Sequence, residues 1–77
     1  MTTTLTAAPV PDGAPVSDLA WPIVVGLSRG MGLPEIAADT GVNLWTLRSR
    51  LQAAFRATDT RTQAGLVSVC FRGGWLT

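Results

Sequence analysis

In the middle of the chain, apolar side chains fall at Leu44, Leu47, Leu51, Ala54 and Phe55, at spacings of three, four, three and one. That is the 3.6-residue period of a helix with one face turned inward. Asn43 precedes the run and is a good N-cap, because its side-chain oxygen can accept from an orphaned N–H of the first turn. The pattern predicts a helix over 43–57. Its opposite side carries Trp45, Arg48, Ser49, Gln52 and Arg56, with Arg50 at the flank.

Three further helices are expected. The first, over 18–28, follows Ser17 as N-cap and Asp18, which suits the positive end of the helix dipole. It carries Leu19, Ala20, Trp21, Ile23, Val24, Val25 and Leu27, with Pro22 early enough to cost little, and Gly30 and Gly32 stop it. The second, over 33–40, opens on Pro34 and Glu35, turns Ile36 and Ala37 inward and ends at Gly41. The fourth, over 60–72, is apolar on nearly all sides, with Ala64, Leu66, Val67, Val69, Cys70 and Phe71. A helix of that kind needs cover on more than one face. At about 100° per residue, Ala64, Val67 and Phe71 share one arc, which is assigned to the core. Thr62, Gly65, Leu66 and Val69 are assigned to contact with a second chain. Gly65 is a poor helix former, and a close crossing of two helices there would explain it.

The core is expected to contain Ile36, Ala37, Leu44, Leu47, Leu51, Phe55 and Val67, with Trp21 and Cys70. Residues 1–16 are rich in Thr, Ala and Pro and contain the turn pair Asp12-Gly13. They read as a disordered tail ahead of one all-α domain over 17–77.

Composition narrows the chemistry. With 77 residues there is room for one small core and not for a large catalytic scaffold. Charged residues are 14% of the chain, against about 25% in ordinary domains. Mean hydropathy is +0.30, so an apolar surface patch that meets a partner is expected. His, Lys and Tyr are absent and Cys70 is the single cysteine. Disulfide frameworks, Cys/His zinc sites, Schiff-base lysines, Walker loops and histidine bases are thereby removed. No enzyme activity, metal or cofactor is expected. The start, Met1-Thr2-Thr3-Thr4-Leu5, has no basic region and no long apolar run, unlike a secretory signal. The longest uncharged apolar stretch, 19–27, is too short for a bilayer span of about 20 residues. A cytoplasmic protein without membrane contact is expected.

The second and third helices, joined by a glycine-containing turn of about three residues, make a helix-turn-helix. In that motif the second helix lies in the major groove and shows base-reading side chains on one face. The third helix holds three of the six arginines and no acid, which suits a phosphate-lined groove.

Three blocks then carry a family resemblance. Gly30-Met31-Gly32-Leu33-Pro34-Glu35-Ile36-Ala37 resembles "Gly-Leu-Ser-x-x-Glu-Ile-Ala". Asn43-Leu44-Trp45-Thr46-Leu47-Arg48-Ser49-Arg50-Leu51 resembles "Ser-x-x-Thr-Val-Arg-Ser-His-Leu". The run from Phe55 to Val67 resembles "Phe-Ala-Lys-Thr-Gly-Thr-Arg-Arg-Gln-Ala-Glu-Leu-Val" without a gap. In this order, the blocks resemble the C-terminal DNA-binding domain of the LuxR family of transcription regulators, here as a stand-alone small protein. The resemblance implies a four-helix domain whose third helix reads DNA and whose fourth dimerises. It implies a phosphate contact for Thr46, a base-edge or phosphate contact for Arg48 and a backbone contact for Arg50. Against the family pattern, Trp45 replaces a small polar or basic residue, Ala57 a lysine and Gly65 a glutamate, and Asp59 stands where a capping glycine is usual.

The expected function is a small, homodimeric, sequence-specific regulator that binds double-stranded DNA through Trp45, Thr46, Arg48, Ser49, Arg50, Gln52 and Arg56. Trp45 has three readings: against sugar and base edges, as an anchor for a protein partner, or folded back beside Leu33. The rival reading for the whole chain is a protein-interaction inhibitor. Such an anti-activator, of the kind phages and mobile elements carry, would pair with a larger transcription regulator and silence it. Trp45 and the thin positive charge favour it; the acid-free third helix opposes it.

Overall fold

The structure is a computed structural model and describes residues 10–76. Four helices follow one another: α1 (Trp21–Ser28), α2 (Leu33–Thr40), α3 (Leu44–Thr58) and α4 (Gln63–Arg72). Among the described residues there is no strand. The regular structure of the described residues is all helical, as the periodicity predicts.

Local chemistry sets the helix starts. Ser17 accepts from Ala20 N–H through its Oγ at 3.3 Å, and its carbonyl accepts from Trp21 N–H at 3.0 Å. Helical bonding thus begins where the cap is expected, but the regular helix starts at Trp21. Pro22 has no N–H to return to Asp18, so the ladder is interrupted there. At α2, Glu35 reaches back and its Oε1 accepts from Gly32 N–H at 3.0 Å. Asn43 caps α3, its Oδ1 accepting from Thr46 N–H at 2.9 Å. Thr62 caps α4, its Oγ1 accepting from Gly65 N–H at 2.9 Å.

Three helices end alike. After α1, Gly30 takes φ +82°, Gly30 N–H donates to Leu27 O at 3.1 Å and Met31 N–H donates to Gly26 O at 3.0 Å. After α4, Gly74 repeats this at φ +83°, with Trp75 N–H donating to Cys70 O at 3.0 Å. After α3 the left-handed position is held by Asp59 at φ 55°, and Thr60 N–H donates to Phe55 O at 3.0 Å. This is the left-handed termination that satisfies orphan carbonyls, and it ordinarily selects glycine. The aspartate is tolerated there because Asp and Asn enter this region more readily than other side chains.

The four helices pack in a ring: α1 lies on α2 and α4, and α3 lies on the same two. The interior is apolar, with Ile23, Val24, Ile36, Leu47, Leu66 and Cys70 essentially inaccessible. Trp21, Leu51 and Ala54 join them. Of the expected core, Ile36, Leu47 and Leu51 are buried, whereas Ala37, Leu44, Phe55 and Val67 are half-buried.

Two expectations are corrected. The first concerns the rotation of α4. Leu66, assigned to a dimer contact, is fully buried within its own chain, and Val69 is half-buried. Ala64 and Phe71, assigned to the core, are exposed. Gly65 also has a local explanation: a Cβ there would sit 3.1 Å from Thr62 Oγ1 and 3.6 Å from Thr60 Cβ. Its close neighbours belong to the loop that caps its own helix.

The second concerns the tail. Residues 1–9 lie outside the described residues. Residues 10–16 are placed against the domain, and Val16 is buried in the same core as Leu76. Trp75 folds back over Gly73, where a Cβ would overlap the indole ring, and the ring's Nε1 approaches Gly13. The packed unit therefore begins ahead of residue 17 and uses the chain after α4.

Candidate functional site

The turn between α2 and α3 is short because both of its ends are specified. Gly41 takes φ +73° and its N–H donates to Ala37 O at 3.0 Å, which closes α2. Thr40 Oγ1 donates to Ile36 O at 2.8 Å and accepts from Val42 N–H at 3.3 Å. Asn43 then opens α3 at once. Val42 is half-buried and packs on the core, which ties the turn to the domain. The result is a short helix, a three-residue connection and a longer helix packed on it.

Burial divides α3 cleanly. Leu47, Leu51 and Ala54 face the core. On the other side, Trp45, Arg48, Ser49, Gln52 and Arg56 are all exposed. At 3.6 residues per turn, these five fall within about 100° of arc. Thr46 stands about 60° beyond Ser49, and Arg50 about 100° beyond Ser49 and about 40° from buried Ala54; both are half-buried. Six of the seven residues expected from the sequence to meet DNA therefore lie on or beside the outer side of α3, and Arg50 stands at the border of its buried side.

Trp45 stands out on this face. It is 81% exposed, the most exposed large apolar side chain among the described residues. It does not fold back under cover beside Leu33. With Arg48, Ser49 and Gln52 it lines a shallow cleft of about 220 Å³. The cleft thus combines an aromatic wall, a guanidinium, a hydroxyl and an amide, all from one helix. Helix α3 has no acidic residue, so its own arginines are not neutralised from within the helix.

The sequence did not reveal a second surface. An open groove of about 630 Å³ runs between the end of α1 and α4. Leu27, Met31, Ala64, Val67 and Phe71 give it an apolar floor, and Arg72 stands at one end. Phe71 is 46% exposed there. Met31 sits between two glycines and reads as plain loop in the sequence. Its place in the groove follows from the turn after α1, which returns it toward α4.

The dimer residues expected on α4 do not form one surface. Thr62 is exposed at the cap, Gly65 and Val69 are half-buried and Leu66 is enclosed. Cys70 is also enclosed, and burial pushes its thiol pKa up. That favours the neutral, unreactive form. Among the described residues no group of three or more His, Cys, Asp or Glu side chains could hold a metal ion. No helix among them is long and apolar enough to cross a membrane. Comparison with protein-family models, curated proteins and solved structures returns no match.

Proposed function

We propose that this chain is a small sequence-specific regulator that binds double-stranded DNA, with α3 in the major groove. The observation that carries the reading is the division of α3: a buried apolar side docked on the domain, and an exposed acid-free side with Arg48, Ser49, Gln52 and Arg56. A reading helix needs both faces. The rigid side fixes its position, and the polar side supplies phosphate and base-edge contacts. Helix α3 has 15 residues, about 22 Å of length, enough to cross a groove about 12 Å wide. The resemblance of three sequence blocks to LuxR-type domains supports the same assignment.

In this reading Arg48 and Gln52 face base edges, and Arg50 and Arg56 contact phosphates. A homodimer would place two reading helices on successive half-sites about 34 Å apart. With Leu66 committed to the core, the α4 surface available for pairing is the groove edge at Ala64, Val67 and Phe71. The same groove supports the second reading, an anti-activator that seats part of a larger regulator there.

Random-site selection on duplex DNA at low salt tests the proposal. A selected site should bind Arg48→Ala about 5- to 150-fold more weakly, with flattened preference at one or two base pairs, if Arg48 makes a bidentate base contact. Arg50→Ala should weaken binding to all sequences alike. Absence of any duplex binding, together with stable capture of a larger regulator, would transfer the assignment to the inhibitor reading.

A further inference from the structure

Trp45 is the second residue of α3, and its indole is 81% exposed. An uncovered indole forgoes much of the stabilisation its burial would supply. In a helix-turn-helix the N-terminal residues of the reading helix meet the base edges, so Trp45 stands where the contact is deepest. The chemistry of the major groove then restricts what it can meet. Base edges there present hydrogen-bond donors and acceptors, and the one apolar group among the four bases is the C5-methyl of thymine. An indole is apolar except for a single N–H donor. It matches that methyl and little else in the groove.

The neighbours sharpen the match. Trp45, Arg48, Ser49 and Gln52 line one cleft, so whatever the indole covers is also within the reach of a guanidinium and an amide. An amide side chain carries the donor–acceptor pair that suits adenine, the base opposite thymine, and a guanidinium suits guanine. The same wall can therefore read a T·A pair from both of its bases, with a neighbouring guanine. The arginines of an acid-free helix supply charge complementarity for DNA rather than for a basic or apolar protein surface.

We infer that Trp45 is a specificity-determining residue whose indole covers the 5-methyl group of thymine in the bound duplex. The inference rests on the reading of α3 as the DNA-facing helix. It adds a base and a single group on it, which that reading does not require.

The test uses the full chain and a duplex obtained from random-site selection. Each thymine is replaced in turn by uracil, which removes the methyl and leaves the Watson–Crick pairing in place. At one or two positions, uracil should weaken wild-type binding about fourfold, the value of one buried carbon group. Trp45→Ala should bind more weakly and show no further loss at those positions. Trp45→Phe should keep most of the sensitivity, since it keeps an apolar ring. Because Trp45 is exposed, both variants should retain the wild-type helical circular dichroism.

Uracil-insensitive wild-type binding at every thymine, or equal uracil sensitivity in Trp45→Ala, overturns the inference while leaving DNA binding by α3 intact. A selected site with no preferred thymine does the same. Failure of the wild type to bind any duplex at low salt overturns the underlying reading and the inference with it. In that case a protein partner is left as the occupant of the cleft.

Discussion

Replacing Leu66 with alanine deletes most of a side chain that is wholly inaccessible at the centre of α4. The side chain belongs to the one core cluster that α1, α2, α3 and α4 share. Large-to-small changes at such sites cost the lost transfer energy plus the energy of the cavity left behind, about 2–5 kcal/mol. A chain of 77 residues has a total stability of about 4–12 kcal/mol at 0.05–0.15 kcal/mol per residue. The substitution therefore removes a large share of it. At about 4–8 °C per kcal/mol for a domain of this size, a loss of about 3 kcal/mol lowers Tm by about 12–24 °C. Phe71→Ala is the natural comparison, because Phe71 is 46% exposed and its truncation should cost only about 1 kcal/mol. Urea unfolding followed by circular dichroism and by tryptophan fluorescence, to which buried Trp21 contributes, measures both. A Leu66→Ala variant within about 1 kcal/mol of wild type, beside a severely destabilised Phe71→Ala, would show that α4 is rotated the other way. Such a result would return Leu66 to the surface.

Three further outcomes follow from the same packing. Gly73→Ala should displace the indole of Trp75 and cost about 1–3 kcal/mol, as overpacking does, with a shift in Trp75 emission; an unchanged melt and spectrum would mean that the indole does not rest on Gly73. Cys70 should resist thiol reagents in the folded state and react only as fast as the domain opens. Its folded pKa is raised by burial, so the folded state holds the proton more tightly, and stability should fall as pH rises past about 8.5, the value of an unfolded thiol. Cys70→Ala should remove that part of the alkaline slope in urea melts at several pH values. Phe71→Glu should stay folded, and sedimentation at about 100 μM should show it monomeric if copies pair through the α1–α4 groove; a wild-type dimer untouched by the change would place pairing elsewhere.

Most of the fold was legible because caps, glycines and the 3.6-residue period agree. The predicted α2 has the observed bounds, and α3 differs by one residue at each end. The asymmetry of α3 was the clearest signal, since its polar and apolar positions separate into two arcs. Helix α4 lacks that contrast. With Ala64, Leu66, Val67, Val69, Cys70 and Phe71 in one short run, several rotations bury an apolar stripe. The choice is made by the fit of Leu66 and Cys70 into the ring of helices. The packing of residues 10–16 was hidden for another reason. Pro and Gly mark a segment without helix, but they do not forbid an irregular strap, and Val16 joins the core cluster through tertiary contact alone. The exposed cleft around Trp45 was readable as a set of residues, whereas the groove beside Phe71 joins positions far apart in the chain.

In the proposed reading, the exposed side of α3 neutralises DNA phosphates. Affinity for a short duplex, measured by fluorescence anisotropy across a range of salt concentrations, tests it most directly. Each phosphate neutralised contributes about −0.9 to the slope of log affinity against log salt. Wild type should show a clearly negative slope. Replacing Arg48, Arg50 and Arg56 together by alanine should flatten it by about 2 per bound chain, the share of the two phosphate contacts of Arg50 and Arg56, while thermal unfolding stays within about 1 kcal/mol of wild type, as expected for surface changes. An unchanged slope in the folded triple variant, or a wild type whose duplex binding does not depend on salt, would contradict the account.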